Sequence, residues 1–356
     1  MSPSSLRLAL LADGDHVNIQ RWNTGLQAAG AKTIVLSLTT HRSRERSDTH
    51  HLPTIHILGR LNYVLTVPIV RRILRAWQPD VILSYYVTGY GTLGRLTGFH
   101  PLVQVTSGSD ILLASRHPIM GKIVRRNLKE ADLVTAWAPH MADAARASGA
   151  RDVFVLPAGI DIDRFSAYQI PEPMPYDPIR LIISRSLKAF YRIDLLVEAA
   201  RILASEQTPF SLTIAGDGPE YARLANMIDA YGLNNQVQLI GFVPNQSLPV
   251  LLSQHNTYIS LVPSDGVSAS LLEAMAVGLL PIVPRNPANA DWITDDENGL
   301  LISDVTPEGI AASIQRINTA IRFGAWHRNP AIVAERADLY QNAKAYVEKF
   351  RLLVRA

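Results

Sequence analysis

The sequence predicts an α/β protein built from two doubly wound parallel-sheet domains in tandem, and three observations carry that prediction. At 356 residues the chain is longer than one ordinary core requires. Each half alternates short apolar runs with helical stretches, the rhythm of parallel strands joined by helical crossovers. Between the halves, YQIPEPMPYDP, Tyr168 to Pro178, holds four prolines and reads as a linker.

In the first half LRLALLA, AKTIVLSL, DVILSYY, PLVQVTS, ADLVTAWA and DVFVLPAG are strand candidates, separated by helical stretches such as IQRWNTGLQAAG and VPIVRRILRAWQ. In the second half IRLIISR, FSLTIAG, VQLIGF, NTYISLV, LPIVP and GLLI alternate with RIDLLVEAARILAS, EYARLANMIDAYG and LLEAMAVG. The last stretch, AERADLYQNAKAYVEKFRLLVRA, reads as one long amphipathic helix. The expected domains are residues 1–170, rejoined by helix 338–356, and residues 171–337. Two Rossmann-like domains facing across a cleft would bring the carboxyl ends of their strands to a shared site.

Composition removes several classes. A hydrophobic content of 47% with 18% charged residues describes a folded globular chain. There is no cysteine, which excludes disulfides and thiolate chemistry. The opening MSPSSLRLALLADGD has too short an apolar run for a signal peptide and reads as a first strand. No stretch is apolar enough to cross a membrane, so the expected location is the cytoplasm. Net charge is only +3, but residues 1–170 are basic and the remainder acidic, which suggests an acidic partner such as phosphate or anionic lipid. Nucleic acid fits poorly, because the arginines are not interleaved with an aromatic stacking surface. Neither half carries GxGxxG, which disfavours a nicotinamide dehydrogenase, and the turn AGDGPE around Gly216 has low specificity alone.

The most informative stretch is SDGVSASLLEAMAVGLLPIVP, Ser264 to Pro284. It predicts a helix over Ala269–Val277, capped by Ser268 and ended by Gly278. Glu273 then stands among Ala269, Ser270, Ala276 and Val277, in the most apolar part of that helix. One reading is a partly exposed glutamate whose head reaches water. The other is a ligand site, in which N–H groups behind Gly266 meet a phosphate and the carboxylate accepts hydrogen bonds from ribose hydroxyls.

These segments, in order and spacing, resemble the retaining glycosyltransferases of family 4, which have the GT-B fold. The match includes IISRSLKAFYRIDLLVEAARIL, LTIAGDGPE, VQLIGFV, SDGVSASLLEAMAVGLLPIVP and DDENGLLI in the second half, with SGSDIL, ADLVTAWAPHM and LPAGIDIDRF in the first. The resemblance implies that Glu273 binds the donor ribose. Asp265, standing where the family has a glutamate, would meet the transferred sugar. Backbone groups of Gly266, Val267 and Ser268 would approach sugar and phosphate. Arg185 would hold the diphosphate together with Arg192 or, as second choice, Lys188. Gly216, Phe242 and Val243 would lie along the nucleotide. From the first domain, Asn18 occupies a place where relatives often have histidine. Ser107 replaces another, Ala158 stands in place of a common asparagine, and Asp110 would contact sugar or acceptor, its other reading being the cap of a helix start.

The implied reaction is transfer of a sugar with retention, from a UDP-linked donor to a hydroxyl of a glycan or lipid-diphosphate-linked acceptor, without a divalent metal. It belongs to cell-surface polysaccharide synthesis. Epimerases and phosphorylases of the same fold lack visible support: their acidic signatures and pyridoxal lysine do not appear. The rival from another class is a non-catalytic nucleotide-sugar-binding or scaffolding subunit. Two basic amphipathic stretches, Leu61–Trp77 with Arg71, Arg72 and Arg75, and Arg116–Lys129 with Lys122, Arg125, Arg126 and Lys129, leave two readings. They are either ordinary outer helices or a peripheral contact with the inner, anionic face of the cell membrane.

Overall fold

The computed structural model describes residues 5–38, 48–54, 56–170, 178–264 and 266–355. Its contacts divide the chain into two compact units, residues 1–159 with 338–356, and residues 160–337.

Among the described residues, unit 1 holds seven parallel strands: β1 Arg7–Leu11, β2 Lys32–Ser37, β3 Thr49–His51, β4 Val81–Tyr85, β5 Leu102–Val105, β6 Leu133–Ala136 and β7 Val153–Val155. Their order in the sheet is β3-β2-β1-β4-β5-β6-β7, so the winding reverses between β1 and β4. The described residues of unit 2 form six: β8 Ile179–Ser184, β9 Phe210–Ala215, β10 Val237–Gly241, β11 Thr257–Ile259, β12 Leu280–Pro284 and β13 Leu300–Ile302. All are parallel, in the order β10-β9-β8-β11-β12-β13, with the reversal between β8 and β11. Reversal points matter because the loops on either side leave toward opposite faces, opening a crevice at the carboxyl ends of the strands.

Near-continuous apolar strands serve two cores at once, because successive side chains point to opposite faces. Leu181, Ile183, Ile282, Leu300 and Ile302 pack with helices Ile193–Ser205, Tyr221–Ala230 and Pro307–Gln315. Ile182, Val283 and Leu301 face the other way, against helix Ala269–Val277 and Val333. Ile160, Ile162, Phe165 and Ile170 belong to this second core, so the division falls at Gly159/Ile160 and not at 170/171.

The strand candidates read from sequence all appear, and β3 is added to them. Its three residues, THH, carry no apolar run to signal a strand. The expected single terminal helix is two. Helix Thr319–Arg336 ends, and helix Leu339–Arg355 begins after Asp338, whose Oδ1 accepts the N–H groups of Tyr340 and Gln341 at 2.8 and 2.9 Å. That cap restarts the helix at the boundary between units. The second helix packs on helix Val17–Ala28 of unit 1, with Trp22 edge-on to Tyr346 at 5.4 Å. Close approach demands Gly25 there: a Cβ would lie 3.0 Å from Leu339 Cδ1 and 3.2 Å from Ala343 Cβ. Among the described residues, no helix is long and apolar enough to cross a membrane.

Candidate active site

In unit 2 the reversal joins β8 to β11, where Thr257 pairs with Leu181 and Tyr258 with Ile182. The chain leaves β8 through Arg185–Arg192 to helix Ile193–Ser205 on one face. It leaves β11 toward helix Ala269–Val277 on the other. The helix has the predicted bounds. Ser268, in an extended conformation, caps it by accepting the Leu271 N–H at 3.3 Å, and Gly278 ends it at φ +91°.

Every residue from Leu271 to Val277 is buried, and Glu273 is only 4% exposed. That removes the reading of a glutamate reaching water. A carboxylate held out of water costs several kcal/mol unless polar groups compensate it. Gly266 and Ser268 are buried and Val267 half-buried. Asp265 lies outside the described residues.

Arg185 bridges the two loops. Its Nη2 donates to Ser268 Oγ, and its guanidinium lies 5.4 Å from the ring centroid of Tyr191. Ser268 Oγ is 3.4 Å from Ser270 Oγ, which is 2.9 Å from the Tyr258 hydroxyl. A polar chain thus runs from the end of β8 to the first turn of the helix, holding a half-buried cation beside the helix N-terminus. Both features favour an anion. Gly216 has a backbone role here: its N–H donates to Gly241 O at 2.7 Å, and a Cβ would fall 1.8 Å from Arg185 O.

The two candidate partners of Arg185 differ. Arg192 adopts φ +53° at the start of helix Ile193–Ser205 and donates from Nη2 to Val305 O at 3.3 Å. Lys188 is exposed. Past the end of β10, the edge strand of this sheet, Phe242 is 73% exposed and Val243 half-buried.

Unit 1 has its own reversal between β1 and β4. The loop after β1 leads to helix Val17–Ala28, capped by His16, whose Nδ1 accepts the Asn18 N–H at 3.3 Å. A histidine cap was not read from the sequence, because serine, threonine, aspartate and asparagine dominate such positions. Asn18 is half-buried just inside it.

For Asp110 the sequence leaves two readings, a sugar or acceptor contact and the cap of a helix start. It is 3% exposed, and both oxygens serve the backbone: Oδ1 accepts the N–H groups of Ser107 and Gly108 at 3.0 and 2.9 Å, and Oδ2 that of Val87 at 2.9 Å. Burial raises its pKa, while the backbone N–H groups of Val87, Ser107, Gly108 and Asp110 itself act in the opposite sense. The loop after β5 is thereby tied to the turn after β4, where Tyr86 stands at φ +70°. Ser107 Oγ is 2.9 Å from the Tyr85 hydroxyl. Among the described residues, no group of three or more His, Cys, Asp or Glu is arranged to hold a metal.

Two parallel Rossmann-like sheets, with an anion-favouring crevice at the reversal of the second, define a protein of the GT-B class. The description "Glycosyl transferases group 1" matches residues 169–320, and "Glycosyl transferase 4-like" matches residues 7–137. The chain belongs to this family of family-4-like, GT-B glycosyltransferases. WcaL of Escherichia coli, a glycosyltransferase named for colanic acid biosynthesis, is 28% identical over 163 residues, covering 43% of this chain and 39% of WcaL. The chain aligns with 39–41% of the length of the first curated relatives. Sucrose-phosphate synthase of Thermosynechococcus elongatus superposes with a TM-score of 0.82 at 18% identity, covering 98% of this chain and 99% of that one. HepE of Anabaena, solved with UDP and glucose, gives 0.77 at 17%, covering 98% and 100%. At such identities the likeness speaks for the fold.

Proposed function

We propose that the chain is a retaining glycosyltransferase that moves a sugar from a UDP-linked donor to a hydroxyl of a glycan or lipid-linked glycan. The observation that carries this reading is Arg185 held against Ser268 at the head of the helix that buries Glu273. A nucleoside diphosphate has two chemistries to satisfy, an anionic diphosphate and a neutral ribose diol. A fixed cation beside helix N–H groups suits the first, and a buried carboxylate accepting two hydroxyl protons suits the second. The UDP in the HepE structure supports that choice of nucleotide, and the name of WcaL supports polysaccharide synthesis.

In the reaction, the bond from the anomeric carbon to the diphosphate breaks while the acceptor oxygen bonds to the same face. The acceptor proton passes to a phosphate oxygen of the leaving group. Charge builds on that diphosphate, and Arg185 with the N–H groups of Gly266 to Ser268 stabilises it without reorganising. Lys188 is the better second cation, since Arg192 already donates to Val305 O. Asp265 meets the transferred sugar, and Phe242 with Val243 forms a wall for the base. In unit 1, Asp110 shapes the loops that receive the acceptor, with Asn18 beside them. No metal takes part. Contact with an anionic membrane also belongs to this reading. However, Arg71 donates to the carbonyls of Leu96 and Thr97, and Arg126 pairs with Glu130, so two of the expected cations are engaged within unit 1.

A thermal-shift comparison of UDP, GDP and ADP, followed by transfer of labelled sugar from UDP-sugars, tests the reading. UDP should raise the melting point most, and the product should keep the donor's anomeric configuration. A UDP shift with neither transfer nor hydrolysis would point to a scaffolding subunit. No shift with any nucleotide would end the proposal.

A further inference from the structure

From Ile57 to Ile69, unit 1 carries large apolar side chains on its outside. The inward positions Asn62, Thr66, Val67, Val70 and Leu74 are buried. The outward ones are Ile57, Leu61, Val64, Leu65 and Ile69, exposed by 95, 59, 49, 54 and 40%. Positions 61, 65 and 69 recur every fourth residue, as one face of a helical run does, from helix Asn62–Leu65 into Val67–Trp77, and Ile57 precedes the kink at Gly59, where φ is +44°. A helical surface that faces water carries polar residues, and one apolar all round is covered by protein or lipid. The outer face turns polar just after Ile69, where Arg71, Arg72 and Arg75 are exposed.

A second lip meets this strip. Arg60 Nη1 lies 3.3 Å from Met120 Sδ, at the start of helix Pro118–Lys129; Ile119 beside it is 68% exposed, and Lys122 is exposed. The strip is also anchored. The Tyr63 ring is edge-on to Tyr90 at 5.1 Å, and a Cβ on Gly89 would lie 2.5 Å from its Cζ. Gly89 opens the helix after β4, so the strip sits beside the loops at the carboxyl edge of this sheet.

Charge says what covers it. Residues 49–79 and 111–129 contain no Asp or Glu, while the outward face is ringed by Arg60, Arg72, Arg75 and Lys122. A second copy of the chain would bring the same cations against these. We propose that Ile57, Leu61, Val64, Leu65 and Ile69, with Ile119, enter the interfacial region of an anionic bilayer while Arg60, Arg72 and Lys122 stay at headgroup depth. Apolar insertion then carries the contact, and the cations of the sequence-based expectation assist it. One consequence rests on the proposed function: an acceptor taken up at the carboxyl edge of this unit is amphiphilic and arrives from the bilayer.

Co-sedimentation with vesicles of phosphatidylglycerol and phosphatidylcholine tests this, with the UDP thermal shift run in parallel. The full chain should bind and keep part of its binding at high salt, where the headgroup attraction is screened. Leu61→Ser with Leu65→Ser should weaken partitioning at least about tenfold at high and low salt, with the melting point and UDP shift unchanged. Arg72→Ser with Lys122→Ser should lose chiefly the salt-sensitive part. Absence of binding by the unaltered chain overturns the proposal, as does unchanged binding by the leucine pair. A lipid-free dimer that the same leucine pair dissolves overturns it too, and makes the strip a self-interface. Vesicle binding without any UDP shift would leave the strip standing and remove the donor reading.

Discussion

Asp110 Oδ2 accepts the backbone N–H of Val87 at 2.9 Å, linking the loop after β5 to the turn after β4. Val87 follows Tyr86, whose φ of +70° is unfavourable for a bulky side chain. Such strain persists only where neighbours over-determine it. The carboxylate is one such neighbour, beside Val105 O, which accepts the Tyr86 N–H at 3.1 Å, and the Gly91 N–H, which donates to Tyr86 O at 2.8 Å.

Replacing Asp110 by Asn leaves one acceptor oxygen for N–H groups that now use two, and turns an amide NH2 toward donors. The expected loss is about 2–4 kcal/mol of unfolding free energy, read from urea denaturation. A loss below about 0.5 kcal/mol, the level of an ordinary surface substitution, would show that the loop holds without it.

Gly216→Ala sets a Cβ where Arg185 O lies 1.8 Å away, so the ends of β8 and β9 must part. Overpacking of this kind costs roughly 1–3 kcal/mol. Because the displaced carbonyl belongs to Arg185, the UDP-induced thermal shift should shrink as well. A variant that loses stability but keeps the full shift would separate Gly216 from the site.

Glu273→Gln keeps the shape of a side chain that is 4% exposed and removes its charge. Titration calorimetry should show UDP binding weakened by about tenfold or more, the loss of one charge-assisted hydrogen bond. Equal affinity would remove Glu273 from the ribose site.

Activity should survive EDTA in full. A strict need for Mg2+ or Mn2+ would refute the metal-free scheme, in which Arg185 and helix N–H groups balance the leaving charge.

His255 gives a pH signature. It is 7% exposed, with Nδ1 2.8 Å from Leu251 O and Nε2 2.8 Å from Thr213 Oγ1. Burial lowers its pKa, against the Leu251 carbonyl, which raises it, and with a smaller contribution from Arg180. The folded protein therefore binds this proton less readily than the unfolded chain. The stabilisation is complete above the unfolded value near pH 6.5 and is lost as pH falls through that value toward the folded one. His255→Gln should flatten the slope of stability against pH in that window.

What could be read from sequence followed how local the cause was. Ser268 and Gly278 fix both ends of the helix around Glu273 within their own neighbourhood, so its bounds were legible. The strands other than β3 were legible for the same reason, being dense apolar runs. Arg185 was legible as a cation but not as the partner of Ser268, which stands 83 residues on and meets it only because β8 and β11 are neighbours. Arg192 and Asp110 went the same way. Each has the right charge for a ligand; Val305 O and the Val87 N–H meet them only in the folded chain, whereas Ser107 and Gly108, beside Asp110 in sequence, fit the helix-start reading. The restart at Asp338 was hidden by helical periodicity running through it on both sides.

Unit 1 is assembled from residues at both ends of unit 2, and this imposes an order on biosynthesis. Trp22 and Phe154 each meet Tyr346 edge-on, at 5.4 and 5.5 Å, and Tyr346 lies in helix Leu339–Arg355. While the ribosome is still translating unit 2, those two aromatic rings lack the cover of Tyr346. The six-stranded unit can close as soon as residues 160–337 have emerged, whereas its host waits for the helix that follows. The insert matures before its host, and the nascent chain carries a sticky aromatic surface throughout that interval, the kind that engages chaperones.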